Sequence, residues 1–137
     1  MQSWRLVVFS VGGRKLAARA DEVLCITKWK ESAAVPSQTP FVSSVIHSDN
    51  ALLAVFDLAG LLNVSVQGTD PLCLMVKHPR GPMGIRIDGE MPVLRTLECS
   101  SVNPCHGEAF DSLGRFISDN DEIPIIILGK LGLADSA

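Results

Sequence analysis

The sequence contains no tyrosine, only three histidines, and aromatic side chains at 5% of positions. Charged residues make up 20% of the chain, less than the ~25% common in globular domains. The two signs nearly cancel, with 12 Lys and Arg against 15 Asp and Glu and a formal charge of −3. Such a chain lacks the basic field that general nucleic-acid binding needs. It also lacks the basic residues interleaved with exposed aromatics of a strand-binding barrel, because most of its five Phe sit at core-like positions. No nucleic-acid partner is expected. Long apolar runs are missing too. The longest, Ala51 to Phe56, is far below the ~18 residues of a membrane span, and Leu6 to Phe9 is too short for a secretion-signal core. The expectation is a cytoplasmic protein with no direct membrane insertion. Its four cysteines are then read as reduced, with Cys25 and Cys73 in apolar stretches where buried thiols are common.

What is present is apolar, 47% of 137 residues, at a length that fits one domain (1–137). A domain of this size buries roughly two-thirds of its unfolded surface, enough to fold without metal or disulfide staples. The low charge leaves room for a partner-facing surface.

Most segments read as strands. Leu6 to Val11 is β-rich, Gly12-Gly13-Arg14-Lys15 punctuates a hairpin, and Leu16 to Ala20 returns. Val23 to Thr27 is another strand. Lys28 to Pro40, with Pro36 and Pro40, is expected to be a loop with room for one helical turn. Phe41 to Ile46 turns at His47-Ser48-Asp49-Asn50 into Ala51 to Phe56, and Asp57 to Leu62 predicts a short helix with Asp57 as its cap. Pro71 to Val76, Met83 to Ile87 with Arg86 facing away from its apolar neighbours, and Met91 to Leu97 are extended. Glu98 to Gly114 is polar and expected to be mobile. Phe116-Ile117 enters a turn at Ser118 to Asp121, and Ile123 to Leu128 is the last strand, where Pro124 suggests an edge or a strand start.

The chain is similar to itself. Ser48-Asp49-Asn50 recurs as Ser118-Asp119-Asn120, an offset of 70, and the apolar residues Leu53, Val55, Phe56, Leu58 and Leu61 meet Ile123, Ile125, Ile126, Leu128 and Leu131 at that spacing. Asp21 and Asp88, 67 apart, align the earlier hairpins. A duplicated module with halves at roughly 6–66 and 71–133 predicts a mainly β architecture of two joined small barrels.

Groups for catalysis are scarce. His78 lies in a Pro/Gly turn. Cys99, Cys105 and His106 offer thiol and imidazole groups for a metal- or thiol-dependent enzyme or sensor, but their spacing matches no compact zinc knuckle and a fourth ligand is missing. Asp119, Asp121 and Glu122 lack the twelve-residue calcium pattern. Gly81 and Gly84 open no phosphate-binding strand–loop–helix unit. No cofactor is implied, and the chain reads as a non-enzyme.

The stretch from Phe41 to Leu62 resembles the signature of the CheW-like family of bacterial chemotaxis coupling proteins. Val45-Ile46, Val55, Asp57-Leu58 and Leu61-Leu62 match it, as do Phe9, Gly13, Val23, Pro36, the Met83 to Asp88 strand and the Ile123 to Leu133 close. The resemblance covers Leu6 to Leu133. Departures fall at Ser44 and Asn50 for family glycines, His47 for Asn, Asp49 for Arg and Ala54 for Pro. With Asp49 in the Arg slot, no bidentate contact of that arginine can form. The resemblance implies two small five-stranded β-barrel subdomains side by side with short helices, and an adaptor coupling chemoreceptors to a chemotaxis histidine kinase. It implies that the kinase's regulatory domain docks on one barrel. A groove between barrels would take the helical cytoplasmic tip of the receptor, at Val23, Ser44, Val45, Ile46 and Asp49. Val23, Val45 and Ile46 fit plain core positions equally well, and Asp49 also fits a solvated turn.

Overall fold

Short β-rich runs, broken every few residues by Gly, Pro, Asp and Asn, give a structure built almost entirely of strands. The computed structural model describes residues 2–37, 41–48 and 51–132. The strands are β1 (Ser3–Val11), β2 (Arg14–Arg19), β3 (Val23–Lys28), β4 (Ala33–Ala34), β5 (Val42–Ser48), β6 (Ala51–Phe56), β7 (Leu72–Val76), β8 (Met83–Ile87), β9 (Val93–Glu98), β10 (Ser112–Ser118) and β11 (Asp121–Ile126). A short helix, α1 (Leu58–Leu62), follows β6. As expected, Asp57 caps it: the Gly60 N–H donates to Asp57 Oδ1 at 3.0 Å.

The strands form two sheets, one ordered β10-β11-β2-β1-β9 and the other β3-β7-β8-β6-β5-β4. The expected five-plus-five count is therefore corrected to five plus six. The sixth strand is β4, two residues of the segment expected to be a loop with a helical turn, recruited by pairing Ala33 with Val45 and Ala34 with Ser44. A two-residue hairpin loop of type I′ needs positive φ at both turn residues. Gly12 (63°) and Gly13 (80°) supply it between β1 and β2, and Asp119 (50°) and Asn120 (66°) between β10 and β11.

Pairing registers repeat along the chain. Moved by 70 residues, β5–β6 falls on β10–β11 from Val42↔Phe56 on Ser112↔Ile126 to Ser48↔Ala51 on Ser118↔Asp121, with the bulge at the same place. Moved by 67, Val8↔Ala17 of β1–β2 falls on Met75↔Gly84 of β7–β8. Yet neither sheet is one contiguous stretch of sequence. β3 leaves the first part of the chain to pair with β7, and β9 leaves the second to pair with β1.

The largest core lies between the sheets, joining Phe9, Val11, Leu16 and Ile126 of one to Phe56, Leu72, Leu74, Val76, Ile85 and Ile87 of the other. Each sheet also encloses a smaller core: Leu6, Ala17, Leu97, Phe116, Ile123 and Ile125 in the five-stranded sheet, and Ile46, Leu53, Val55 and Cys73 in the six-stranded one. At a gain of about 1.5–3 kcal/mol for each large apolar side chain buried, these three clusters supply most of the driving force for folding. One carboxylate then ties the loops together. Asp88, 5% exposed, accepts from the backbone N–H groups of Gly12 (2.9 Å), Gly13 (2.8 Å) and Gln67 (2.7 Å).

Other expectations are corrected. Pro124 is not on an edge strand, since β11 lies between β10 and β2. It is tolerated there because the β11–β2 ladder is limited to one paired position, Ile125↔Ala17. Glu98 to Gly114 is not one irregular loop. It opens with a 3₁₀ turn at Cys99–Ser101, makes a two-way backbone bridge between Asn103 and Arg115 (2.8 Å each way), and enters β10 at Ser112. The last strand stops at Ile126 rather than at Leu128, before a 3₁₀ turn at Leu128–Lys130. Leu133, expected in the closing helix, lies outside the described residues. Cys25 is exposed rather than buried, because β3 is an edge strand on which Val23 and Ile26 alone pack against the inter-sheet core.

Candidate partner-binding surface

Three of the residues singled out from the sequence are consecutive on β5. Ser44 and Val45 are half-buried and are flanked on both sides, by Val55 and Ala54 of β6 and by Ala34 and Ala33 of β4. Ser44 sits at the β5 bulge, the position matched by Gly114 in β10. Ile46 is 4% exposed and points into the small core of the six-stranded sheet, where its Cδ1 would stand 3.0 Å from a Cβ placed on Gly84. Only a glycine on β8 lets that side chain settle so close.

Val23 is placed differently. It opens β3, pairs with Val76, and is half-buried against the inter-sheet core. Val23 and Ile46 thus pack on opposite faces of the same sheet, four strand steps apart. Asp49, the charge-reversed position, lies outside the described residues.

Sequence reasoning passed over several large apolar side chains that the structure leaves exposed. Leu52 on β6 is 61% exposed, opposite the exposed His47. Met91, Val93 and Leu94 stand at the free edge formed by β9, and Leu24 bulges from β3. The doublet Val93-Leu94 was the available signal, because two successive apolar residues in a strand cannot both face one core. Nothing in the sequence marks the bulge at Leu24.

The thiol and imidazole groups do not assemble. Cys105 and His106 border a small cleft with Arg14, Glu108, Arg115 and Glu122, whereas Cys99 lies on the 3₁₀ turn after β9. The cations of that cleft are paired, Arg14 with Glu108 and Arg115 with Glu122. Among the described residues no group of three His, Cys, Asp or Glu side chains could hold a metal ion. No helix among them is long and apolar enough to cross a membrane.

A sequence model of the family described as "CheW-like domain" matches residues 5–129. The chain belongs to the CheW-like family. Its fold agrees with that of a solved member: the structure of the scaffolding protein TtCheW from Thermoanaerobacter tengcongensis superimposes with a TM-score of 0.80 at 18% identity, covering 99% of this chain and 97% of that one. No curated protein matches the chain. CheW-like proteins are non-catalytic scaffolds of chemotaxis signalling, so this chain carries a scaffolding or adaptor domain. The CheW-like assignment agrees with the two-sheet architecture and its few short helices.

Proposed function

We propose that this protein is a cytoplasmic adaptor that couples chemoreceptors to a chemotaxis histidine kinase, working at membrane-associated receptor arrays. The kinase's regulatory domain would dock on one sheet, and the receptor's cytoplasmic tip would bind near Val23, Ser44, Val45 and Asp49. Ile46, buried, would hold β5 in shape rather than touch the receptor. One observation carries this reading: the CheW-like assignment spans residues 5–129, and so takes in both sheets and the strands that bear Val23, Ser44 and Val45. Exposed Leu52, Met91, Val93 and Leu94 provide apolar area for a partner to cover. We read residues 1–137 as one domain whose halves, 6–66 and 71–133, arose by duplication, which the repeated registers and equivalent cores support.

The test is calorimetric titration against the regulatory domain of a chemotaxis kinase from the same genome. The expected result is a one-to-one complex at micromolar strength or tighter, about −8 kcal/mol at 1 µM. Asp49→Arg should leave that complex intact and shift preference among receptor tips. No heat with the kinase domain, and no receptor shift with Asp49→Arg, would leave a CheW-like fold without this role.

A further inference from the structure

Three sulfur-bearing side chains share one face of the six-stranded sheet, and strand register puts them there. Cys25 on β3 is paired with Met75 on β7, so the two side chains project from the same face. Cys73, two residues before Met75, projects from that face as well. The Cys25 thiol lies 3.3 Å from the Met75 thioether. Cys73 is 1% exposed in the small core of the sheet, with Met75 packed against that core. Burial pushes the Cys73 thiol up and the Cys25 thiol adds to this, against the hydrogen bonds to the Ile85 backbone and the Thr27 hydroxyl. Lys30 acts the other way and favours a thiolate at Cys73.

Two thiols and a thioether make a soft donor set. Thiolate and thioether sulfur select monovalent copper over the hard and borderline divalent ions that carboxylate and imidazole would attract. We propose that Cys25, Cys73 and Met75 form a binding site for Cu(I). Binding breaks two S–H bonds, releases two protons to solvent and forms two metal–thiolate bonds and one metal–thioether bond, with no electron transferred. The product carries one net negative charge beside the Lys30 ammonium. With metal–sulfur bonds of about 2.3 Å, sulfurs in a trigonal site stand roughly 4.0 Å apart. Cys25 and Met75 must therefore part by about 0.7 Å, a movement open to an exposed side chain on an edge strand. The exposed Cys25 also gives the ion a route to the buried Cys73.

The experiment is anaerobic titration of the reduced full-length chain with Cu(I) in competition with a bathocuproine chelator, followed by X-ray absorption at the copper edge. One equivalent should be retained in an all-sulfur shell. Cys25→Ser should weaken binding by about 100-fold and Met75→Leu by about 10-fold, whereas the Cys99→Ser/Cys105→Ser double variant should bind as the parent does. Both single changes are at solvent-reached positions, so circular dichroism should show a folded chain. Undiminished affinity in Cys25→Ser, loss of copper in the Cys99→Ser/Cys105→Ser variant, or nitrogen and oxygen in the copper shell would each overturn the proposal.

Discussion

Replacing Asp88 by Ala should unlock three segments at once: the β1–β2 turn, the loop before β7 and the end of β8. The side chain accepts three backbone N–H bonds of 2.7–2.9 Å at a residue only 5% exposed. Two of them, from Gly12 and Gln67, share Oδ1, and the third, from Gly13, goes to Oδ2. A hydrogen bond to a charged group contributes about 1.5–3 kcal/mol net, so three independent bonds would contribute about 4.5–9 kcal/mol. Sharing one oxygen lowers that sum, and so does water reaching the opened turn, leaving an expected loss of about 3–5 kcal/mol. The neighbouring bonds from Asp88 N–H to Ser10 C=O (2.9 Å) and from Gly89 N–H to Gln67 C=O (3.1 Å) would persist and keep the orphaned donors close together. Asp88→Asn is the finer probe. It keeps an acceptor for Gly12 and Gln67 but turns an amide NH₂ on the Gly13 N–H, for a loss of about 1–3 kcal/mol. Guanidinium denaturation followed by circular dichroism should rank the wild type above Asn and Asn above Ala, with unchanged m-values. With total stability typically about 5–15 kcal/mol, the Ala variant should be visibly marginal. An Ala variant within about 1 kcal/mol of the wild type would refute the reasoning, as would an Asn variant as damaged as Ala.

Gly114→Ala should cost about 2–4 kcal/mol in a thermal melt, because φ is 132° there and the new Cβ would stand 2.5 Å from Val102 Cγ1 and 2.6 Å from the Asn103 carbonyl oxygen. The matched bulge at Ser44 already carries a side chain, so Ser44→Ala should cost far less. Alkaline pH should destabilise the protein through Cys73, whose thiol burial holds above its ordinary 9.0. Above that pH the unfolded chain gives up a proton that the folded chain keeps, so stability falls as pH rises, by up to about 1.4 kcal/mol per pH unit until the folded thiol also ionises. Below it the group has no effect. Denaturation midpoints measured from pH 8 upward should show this fall in the wild type and a shallower one in Cys73→Val.

The hairpins were legible because their signals are local. Gly12-Gly13, the alternation of Met83 to Ile87 and the Asp57 cap each specify backbone over a few residues, and all three lie where the sequence places them. The CheW-like pattern around Phe41 to Leu62 supplied the fold that composition alone could not. Long-range pairing was hidden. Ala33 and Ala34 carry no β signal and become a strand because β5 offers them an edge. Pro124 argued for an edge, yet it is placed by packing around Ile123 and Ile125 rather than by a ladder it would weaken. Cys25 sits in an apolar run like Cys73, but the edge position of β3 decides its exposure. For the candidate surface, the sequence named the consecutive trio on β5. It gave no hint that Val23 and Ile46 pack on opposite faces of one sheet.

The exchange of β3 and β9 has a mechanical consequence. A cut between α1 and β7 would leave each fragment holding strands whose neighbours are on the other: β1 without β9, and β7 without β3. The fragments should be unable to stand alone and should recombine when mixed, each serving as the missing edge of the other. A load applied to either sheet by a bound protein is likewise borne by backbone from both ends of the chain. A scaffold laced in this way passes strain from one face to the other through covalent chain as well as through packed side chains.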